Sequence, residues 1–597
     1  MRLSVRPPGT ADATEVRQLL DSDDFARRAA ALAAELGVST EAVLLEAAGH
    51  LREMAATHNP RVGEVWQQFG HWMTRGYDIL VDEDGMAELR RLDRRHSLIF
   101  LLSHRSYLDE FVLPPALAAG ALSPLFGIAG GNLNFFPLGN LARRNGIVHV
   151  RRATADAPVY RFALREFMGR LVANRSNLAW SIEGGRTRTG KLRPPRYGLL
   201  RYVADAVESS PASDPLLVPV SLMYDQIPSH EVSLMASEAR GQAKQSEDLR
   251  WLVRYAAGLK ERRGRVYLDF GTPLNLRDRL GELRAESVTE NRVERIALDV
   301  CHRLNAATPI TPTSAVCIAL LAEDRALTLD EVLTTVRPLA DYVHGRGWPV
   351  AGAANLTDRS TLRWALQELV RSGVLSVYRG GLEAVYSIGR DQHLVAAFYR
   401  NSVLHVLLLR AIVELSLLAI AEGRDESPDA LLTEALRLRE LLKFDFFFAG
   451  RDQFAAELRT ELGLLAEMPV DDMDGITVGQ AELWLAKTHL RVAPLVLRPF
   501  LDAYRVIADQ LAGLADEPVS DTDLVIRDAL RVGRQWALQR NLASEESVSS
   551  EMFRTALNLA AHRNLLAAEP DLARRRREFA DEVADTSRGI LRMGRST

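Results

Sequence analysis

Between residues 97 and 274, short apolar runs alternate with amphipathic stretches of helical periodicity. This alternation constrains the fold strongly, because it predicts a mostly parallel sheet with helices packed on it. The runs predicted to be strands are 98–102, 147–150, 178–182, 216–223 and 266–270. Pro219 interrupts the fourth run and predicts a sheet edge or a bend, since proline cannot donate a hydrogen bond to a neighbouring strand.

A histidine and an aspartate follow the first predicted strand. His104 lies where the strand gives way to a loop, and Asp109 is five positions further on. Ligands bind beyond the carboxyl ends of strands in open α/β sheets. Across such a turn the Asp109 carboxylate can fix the tautomer of His104, so that the other ring nitrogen accepts a proton. A purely structural histidine that is hydrogen-bonded to a turn aspartate has the same spacing. The pair alone therefore does not distinguish a catalytic histidine from a structural one.

Basic clusters follow the second and third predicted strands. Arg151 and Arg152 come after the second, and the glycine-rich run EGGRTRTGK at 183–191 comes after the third. Glycines let the backbone approach a ligand, and arginines bind phosphates in bidentate geometry. A solvated charged surface is the ordinary explanation of such runs. Their recurrence at the same predicted sheet edge as His104 favours a phosphate site.

Composition restricts the class of protein. The chain has 597 residues, enough for several domains, and its net charge of −4 argues against a protein that coats nucleic acid. Its two cysteines, Cys301 and Cys317, have no metal-site or disulfide spacing, which indicates a reducing, cytoplasmic setting. The amino terminus lacks the apolar core of a signal peptide, so secretion is not expected.

The regions on either side of the predicted sheet have helical patterns. Residues 1–95 are predicted to be an amino-terminal helical region, with a cap at Ser39 and an apolar stripe of core or lipid-contacting residues. Residues 96–307 form the predicted α/β catalytic domain, and residues 308–597 a mainly helical carboxyl-terminal domain. Within the latter, residues 318–390 combine helices with a predicted hairpin, as in a winged helix. The stripe consists of Val62, Trp66, Phe69, Met73 and Leu80.

One apolar run, 403–421, is long enough to suggest a membrane span. It contains Arg410 and Glu414, and each charge at a bilayer centre costs about 2 to 3 kcal/mol, which opposes spanning. Two alternatives remain open. The run is either a buried helix that pairs these charges internally or an interfacial helix assisted by the aromatic cluster FDFFF at 444–448.

Four sequence blocks each follow or overlap a predicted strand. They are HRSYLD at 104–109, GIVHVRR at 146–152, SIEGGRTRTG at 181–190 and VPV at 218–220. Taken together and in this order, the four blocks resemble those of the bacterial membrane-associated glycerol-3-phosphate acyltransferases. Two further segments, GNLNFFP at 131–137 and FYRNSVLH at 398–405, extend the resemblance.

The resemblance implies a fold and a reaction. The implied fold is α/β: a central mixed, mostly parallel sheet with flanking helices, as in glycerolipid acyltransferases, between amino-terminal helices and a largely α-helical carboxyl-terminal domain. The implied reaction transfers a long-chain acyl group from acyl-CoA or acyl-carrier protein to the sn-1 hydroxyl of glycerol 3-phosphate. His104 would be the general base and Asp109 its orienting partner. The implied substrate-binding residues are Arg105, Arg151, Arg152, Glu183, Gly184, Gly185, Arg186, Arg188 and Lys191.

Other expectations accompany this implied activity. The mechanism needs no metal or cofactor, and backbone amides after His104 are expected to stabilise the oxyanion. The protein is expected at the cytoplasmic face of the cell membrane, attached peripherally. A related acyltransferase using lysophosphatidate or dihydroxyacetone phosphate is one alternative. A nucleic-acid-binding winged-helix protein is another, but the mixed charge of the candidate recognition helix and the overall composition favour no nucleic-acid partner.

Overall fold

The computed structural model describes residues 13–595, apart from 131–137, 152–153, 155, 211, 243–254, 256–262, 289, 324, 425–426, 471 and 488–492. The chain divides into two compact units. The first unit comprises residues 1–186, 195–224 and 245–307, and the second comprises 187–194, 225–244 and 308–597. The division therefore passes through the third sequence block, directly after Arg186. The three-domain division stays a prediction.

The first unit contains a mixed, mostly parallel sheet, as predicted. The described strands run in the order β1-β7-β6-β2-β5-β3-β4, with β8 paired to β6. The pairs β6–β7 and β6–β8 are antiparallel, and the other described pairs are parallel. The strands are β1 (Tyr77–Val81), β2 (Leu98–Leu102), β3 (Leu125–Gly130), β4 (Ile147–Val150), β5 (Asn177–Ser181), β6 (Leu216–Tyr224), β7 (Gly264–Phe270) and β8 (Leu274–Asn275).

Helices accompany this sheet. Ser39 caps α3, its hydroxyl accepting a hydrogen bond from the Ala42 amide at 3.2 Å, which confirms the predicted cap. α6 begins at Asp109 and follows β2 directly. The described helices of this unit are α1 (Ala13–Leu20), α2 (Asp23–Leu36), α3 (Thr40–Met54), α4 (Pro60–Thr74), α5 (Glu83–Leu92), α6 (Asp109–Ala119), α7 (Leu138–Arg143), α8 (Pro158–Ala173), α9 (Gly198–Ser209), α11 (Leu276–Ala285) and α12 (Arg292–Ala306).

Two interior strands, β2 and β6, are buried along their whole length. Both are nearly continuous apolar runs, as expected of strands that are covered on both faces of a mostly parallel sheet. The predicted stripe is only partly a helix face. Trp66 and Met73 are buried in α4, whereas Leu80 lies on β1 and is 38% exposed. Its placement on a helix was wrong because the short segment before α5 pairs with β7 as an edge strand.

Pro219 does not lie at a sheet edge. It is inside β6, which pairs with β2 on one side and with β7 and β8 on the other. On that second side, β8 pairs with Leu216 and Leu217, and β7 begins to pair at Val220. The missing proline N–H therefore coincides with the break between two antiparallel partners, and the Pro219 carbonyl accepts from the Gly271 amide at 2.9 Å.

The second unit is mainly helical. Its described helices are α10 (Ser229–Ala239), α13 (Pro312–Leu321), α14 (Leu329–Arg346), α15 (Arg359–Arg371), α16 (His393–Asn401), α17 (Leu408–Ala421), α18 (Ala430–Leu442), α19 (Arg451–Ala466), α20 (Val478–Lys487), α21 (Ala493–Gly513), α22 (Thr522–Leu538), α23 (Ser550–His562) and α24 (Leu572–Arg595). A small antiparallel sheet has the order β10-β11-β9, with β9 (Leu327–Thr328), β10 (Leu375–Tyr378) and β11 (Val385–Ile388). A helix, a strand, two helices and a hairpin in this order have the topology of a winged helix.

The apolar run 403–421 forms part of the interior of this unit. α17 is buried along most of its length, and Arg410 Nε lies 2.9 Å from Glu461 Oε1. Glu414 instead accepts a hydrogen bond from the Ala493 amide at 2.9 Å. Glu414 is thus buried and Arg410 is largely buried, but each has a partner on another segment rather than the other charge. Interfacial docking by this helix was the wrong alternative.

The aromatic cluster at 444–448 is also packed within the unit. The ring centroid of Phe446 lies 5.1 Å from that of Phe500, and Phe448 lies 5.6 Å from Phe454. These rings are occupied by packing contacts and do not form an exposed apolar surface. Among the described residues, we find no helix with the length and apolarity needed to cross a membrane.

Asp269 should make stability depend on pH. Burial, and secondarily the neighbouring Asp82, raise the pKa of Asp269 from 3.8 to about 7. Below pH 4 the Asp269 carboxyl is protonated in both the folded and the unfolded protein. As pH rises, the unfolded chain ionises first, so stability falls between about pH 4 and pH 7 and stays lower above that range. Asp269→Asn should therefore stabilise the protein by about 3 kcal/mol at pH 8 and by little at pH 4, measured by thermal unfolding.

The exposed Asp84, in the first turn of α5, provides a control for this prediction. Asp84→Asn should show no comparable gain at pH 8. An equal effect of Asp269→Asn at both pH values would contradict the proposed linkage.

Candidate active site

The turn after β2 holds His104 and Asp109 together. His104 Nδ1 lies 2.9 Å from Asp109 Oδ2, and the imidazole is 19% exposed whereas the carboxylate is fully buried. Because Asp109 begins α6, its carboxylate lies in the first turn of a helix, where the helix dipole favours negative charge. His104 is therefore a partly exposed histidine between the buried strand β2 and the buried first residue of α6.

Three more donors orient the Asp109 carboxylate. The backbone amides of Arg105 and Ser106 donate to Oδ2 at 2.8 and 3.1 Å. The Tyr224 hydroxyl donates to Oδ1 at 2.6 Å. Since an ionised carboxylate only accepts hydrogen bonds, His104 carries its proton on Nδ1. The lone pair of Nε2 is then available to accept a proton from a bound hydroxyl group.

Tyr224 was not predicted from the sequence. It is the last residue of β6, the strand next to β2, and its side chain is buried. Burial, followed by the adjacent Asp109 carboxylate, raises the pKa of the Tyr224 hydroxyl well above its ordinary value, so it remains a donor. The sequence feature that could have identified Tyr224 is its position at the carboxyl end of a predicted strand, where site residues are expected.

Glu183 supports the histidine from the neighbouring strand end. It follows β5, which pairs with β2, and its Oε1 accepts from the His104 backbone amide at 2.7 Å. Gly184 comes next with φ +66°, and a Cβ there would lie 2.7 Å from Arg196 Cγ. A glycine is therefore required for this turn, which brings the Glu183 carboxylate to the His104 backbone amide.

Arg105 lies inside the site rather than at its surface. Its side chain is 3% exposed, and both Glu183 and Asp109 act on it electrostatically. Burial lowers the pKa of Arg105, while these two carboxylates oppose that effect. The arginine thus balances two buried negative charges, and a substrate phosphate has little access to it.

Arg186, from the end of the neighbouring strand, contacts this turn through Tyr107. Its guanidinium carbon lies 3.4 Å from the centroid of the Tyr107 ring, and the guanidinium also donates to the Tyr107 hydroxyl. Tyr107 belongs to the same turn as His104. Stacking on the ring orients the planar guanidinium, as bidentate recognition of an oxyanion requires. The flexible Arg186 side chain is thereby held against the turn that contains His104.

Arg151 is farther along the sheet edge. It follows β4, which is three strands from β2 in the sheet order, or about 14 Å at ordinary strand spacing. Its guanidinium is half-exposed, lies 2.8 Å from Glu53 Oε2 and covers the Tyr160 ring. Arg152 lies outside the described residues. The structure therefore brings Glu183, Gly184, Gly185 and Arg186 to the strand end beside His104, but not Arg151.

Arg188 and Lys191 belong to the second unit. Arg188 Nε lies 2.8 Å from Glu238 Oε2, and Lys191 Nζ lies 2.6 Å from Asp445 Oδ1. Both predicted phosphate ligands thus have carboxylate partners within that unit. The sequence places Arg188 and Lys191 close to Arg186, but it does not reveal that each has a carboxylate partner.

The turn's backbone amides are already engaged. The His104 amide donates to Glu183, and those of Arg105 and Ser106 donate to Asp109. The Leu108 amide donates to the Ser106 hydroxyl at 3.2 Å. These four groups are not open donors, contrary to the expectation of an oxyanion site there. No cluster of three or more metal-ligating side chains occurs among the residues that the structure describes.

Comparisons with known proteins cover almost the whole chain. A family model described as Acyltransferase matches residues 86–223, and one described as Glycerol-3-phosphate acyltransferase C-terminal region matches residues 235–569. Proteins from Mycobacterium tuberculosis and Mycobacterium bovis, each named "Putative acyltransferase plsB1", are 53% identical over 591 residues, covering 98% of this chain and 94% of the relative.

Two more distant similarities were found. A "Glycerol-3-phosphate acyltransferase" from Aeromonas hydrophila is 24% identical over 576 residues, 94% of this chain and 69% of that protein. The crystal structure of the 1-acyl-sn-glycerophosphate (LPA) acyltransferase PlsC from Thermotoga maritima is 18% identical and covers 40% of this chain and 80% of its own, with a TM-score of 0.24, too low to bear on the fold. The carboxyl-terminal family model and the mycobacterial relatives show that this chain is an acyltransferase of the bacterial glycerol-3-phosphate acyltransferase family.

Proposed function

We propose that this enzyme transfers a long-chain acyl group from acyl-CoA or acyl-carrier protein to the sn-1 hydroxyl of glycerol 3-phosphate, giving 1-acyl-sn-glycerol 3-phosphate. The observation that carries the proposal is the His104–Asp109 pair, in which Nε2 of a partly exposed histidine is available to accept a proton. The Arg186 guanidinium is stacked on the Tyr107 ring of the same turn. A base beside a fixed guanidinium suits an acceptor that has both a hydroxyl and a phosphate.

The reaction follows from the tautomer of His104. Nε2 removes the proton from the acceptor hydroxyl as its oxygen forms a bond to the thioester carbonyl carbon. The carbon–sulfur bond then breaks, and the imidazolium returns the proton to the departing thiolate. Asp109 stabilises the intermediate imidazolium, since its carboxylate faces Nδ1. No acyl-enzyme intermediate and no cofactor enter this sequence.

Arg186 is our first choice for the acceptor phosphate. Its guanidinium is oriented by Tyr107, and it follows the strand next to β2. Arg151, which follows β4 farther along the same sheet edge, is assigned to a secondary role in attracting the anion, and the adjacent Arg152 is assigned the same role from its sequence alone. Arg105 stabilises the buried carboxylates, and Gly184 and Gly185 shape the turn. Arg188 and Lys191 support the backbone of the third block instead of binding phosphate directly.

We also propose peripheral attachment to the cytoplasmic face of the membrane, where a long-chain product would be released. Exposed apolar side chains on the amino-terminal helices support this location. Trp72 on α4 is 45% exposed, and Arg75 lies over its ring at 4.5 Å. An aromatic ring beside a cation suits the headgroup region of a bilayer.

An acceptor panel tests the proposed reaction. Purified protein with palmitoyl-CoA or palmitoyl-acyl-carrier protein is incubated with glycerol 3-phosphate, dihydroxyacetone phosphate or lysophosphatidate, and acylated products are quantified. We expect the highest kcat/KM with glycerol 3-phosphate. Higher values with either other acceptor would reject the assignment in favour of that related acyltransferase.

Arg186→Gln should raise the KM for glycerol 3-phosphate by about tenfold to a hundredfold, because a charge-assisted contact to phosphate contributes about 1.5 to 3 kcal/mol. The KM for the acyl donor should change little. Arg165→Gln is a suitable control, since Arg165 forms an exposed ion pair with Asp205 in the same unit. Equal KM values for Arg186→Gln and the wild type would remove Arg186 from the phosphate site.

A further inference from the structure

Arg196, which precedes α9, lies against the turn that follows β5. Its backbone amide donates to the Ile182 carbonyl at 2.8 Å, and the Ile182 amide donates to the Leu102 carbonyl at 3.2 Å. Leu102 is the last residue of β2 and comes directly before the segment that contains His104. All of these residues belong to the first unit. Backbone hydrogen bonds therefore join Arg196 to the strand end that carries the proposed base.

The side chain of Arg196 crosses the same turn at Gly184. A Cβ at Gly184 would lie 3.4 Å from Arg196 Cβ, 2.7 Å from its Cγ and 3.9 Å from its Cδ. The aliphatic part of the arginine thus runs over the glycine, through space that the side chain of any other residue would need. Gly184 directly follows Glu183, whose carboxylate accepts from the His104 amide. The Arg196 guanidinium is therefore attached to a stem that packs on the strand end beside His104.

The charge of Arg196 is not compensated by a neighbouring carboxylate. The residue is exposed, and within the part of the chain that the structure describes its guanidinium forms no ion pair. Two other exposed arginines of this unit differ in that respect, since Arg151 pairs with Glu53 and Arg201 pairs with Glu294. Carboxylates and phosphates bind the same face of a guanidinium. Arg196 can therefore bind a phosphate without first losing an ion pair.

A phosphate monoester offers more charge than one arginine neutralises. It carries about 1.5 to 2 negative charges at neutral pH and has three oxygens that accept hydrogen bonds. Arg186 belongs to the turn after β5, and Arg196 packs on the same turn at Gly184. Two guanidinium groups would match both the charge and the number of acceptor atoms of such a ligand.

We infer that Arg196 is a second phosphate-binding residue, which contacts the acceptor phosphate together with Arg186. This inference rests on the proposed function, because it takes the ligand to be glycerol 3-phosphate. Gly184 then has a second purpose besides its positive φ, since the missing Cβ leaves room for the Arg196 stem. Arg196 lies outside the glycine-rich run 183–191, so the motif did not indicate it.

The test is Arg196→Gln in the full-length enzyme, which shortens the side chain and removes its charge. We expect the KM for glycerol 3-phosphate to rise about tenfold, while kcat and the KM for palmitoyl-CoA change less than about twofold. The midpoint of thermal unfolding should stay unchanged, because the side chain is exposed. Calorimetric titration with glycerol 3-phosphate, in the absence of an acyl donor, should show an affinity about tenfold weaker than that of the wild type.

Arg201→Gln is the matched control. Arg201 is an exposed arginine on α9 in the same unit, and its charge is already paired with Glu294. Both KM values should remain those of the wild type. An unchanged KM for glycerol 3-phosphate in Arg196→Gln would overturn the inference. A rise in the KM for palmitoyl-CoA alone would also overturn it, since Arg196 would then bind a phosphate of the donor.

Arg196→Lys separates a forked contact from simple attraction. A lysine keeps the charge but cannot form a bidentate contact, so the KM for glycerol 3-phosphate should rise about threefold. The acceptor panel distinguishes this inference from the proposed function. If the wild type prefers dihydroxyacetone phosphate or lysophosphatidate, only the proposed acceptor is rejected, and Arg196→Gln should still raise the KM for the preferred one. An unchanged KM for that acceptor would overturn the role of Arg196.

Discussion

His104→Ala should lower kcat for glycerol 3-phosphate acylation about a thousandfold, because a positioned general base contributes roughly 10² to 10⁴ in rate. The histidine presents Nε2 while Asp109 holds Nδ1 at 2.9 Å. Binding of glycerol 3-phosphate, followed by calorimetry, should be retained because the proposed phosphate contacts do not involve the imidazole. The expected signature is a loss in kcat with little change in acceptor affinity.

His96 is a control from the other end of the same strand. It precedes β2, and its Nδ1 lies 3.1 Å from Asp214 Oδ2, so it is also a histidine paired with an aspartate. It lies at the amino-terminal end of β2, away from the proposed site. His96→Ala should keep wild-type kcat. Comparable losses in both variants, or full activity in His104→Ala, would refute the assignment of the base.

Asp109→Asn should reduce kcat by about a hundredfold to ten-thousandfold, since an amide cannot reproduce the charge that stabilises the imidazolium and selects its tautomer. The substitution also disturbs the hydrogen bonds of this side chain, because two backbone amides donate to Oδ2. An asparagine nitrogen at the Oδ2 position would be a donor facing these two donors. Removal of this charge also leaves Arg105 with less compensation, which should destabilise the protein by about 3 kcal/mol. Steady-state kinetics and thermal unfolding measure the two effects.

Asp214→Asn supplies the corresponding control, because Asp214 is the partner of His96 and is half-exposed. It should change neither kcat nor the unfolding midpoint by much. A folded Asp109→Asn enzyme with wild-type kcat would show that the pairing with His104 is structural.

The predicted strands were recognisable because their burial leaves a continuous apolar run. β2, β4, β5, β6 and β7 lie at the predicted positions, within one or two residues. β1 and β3 were missed for physical reasons. β1 lies at an edge and alternates in burial, and β3 contains two glycines and no continuous large apolar run. Pro219 is tolerated inside the sheet because it lies between the residues of β6 that pair with β8 and those that pair with β7. Local sequence does not reveal where partner strands begin and end.

The site was only partly predictable. His104 and Asp109 are five positions apart in one turn, so their spacing sufficed to propose the pairing. Tyr224 donates to Asp109 from 115 residues away, and Lys191 meets Asp445 across 254 residues. Contacts at such separations are set by packing within each unit. A charge pattern identifies basic residues but does not reveal whether a carboxylate already faces them.

The most direct test of the central claim is a position-resolved product analysis with glycerol 3-phosphate and palmitoyl-CoA, comparing wild type, His104→Ala and His96→Ala. We expect 1-acyl-sn-glycerol 3-phosphate from the wild type and His96→Ala at similar rates, and almost none from His104→Ala. The absence of acyl transfer by the wild-type enzyme, acylation at the sn-2 position, or undiminished product from His104→Ala would contradict the proposed reaction or its base.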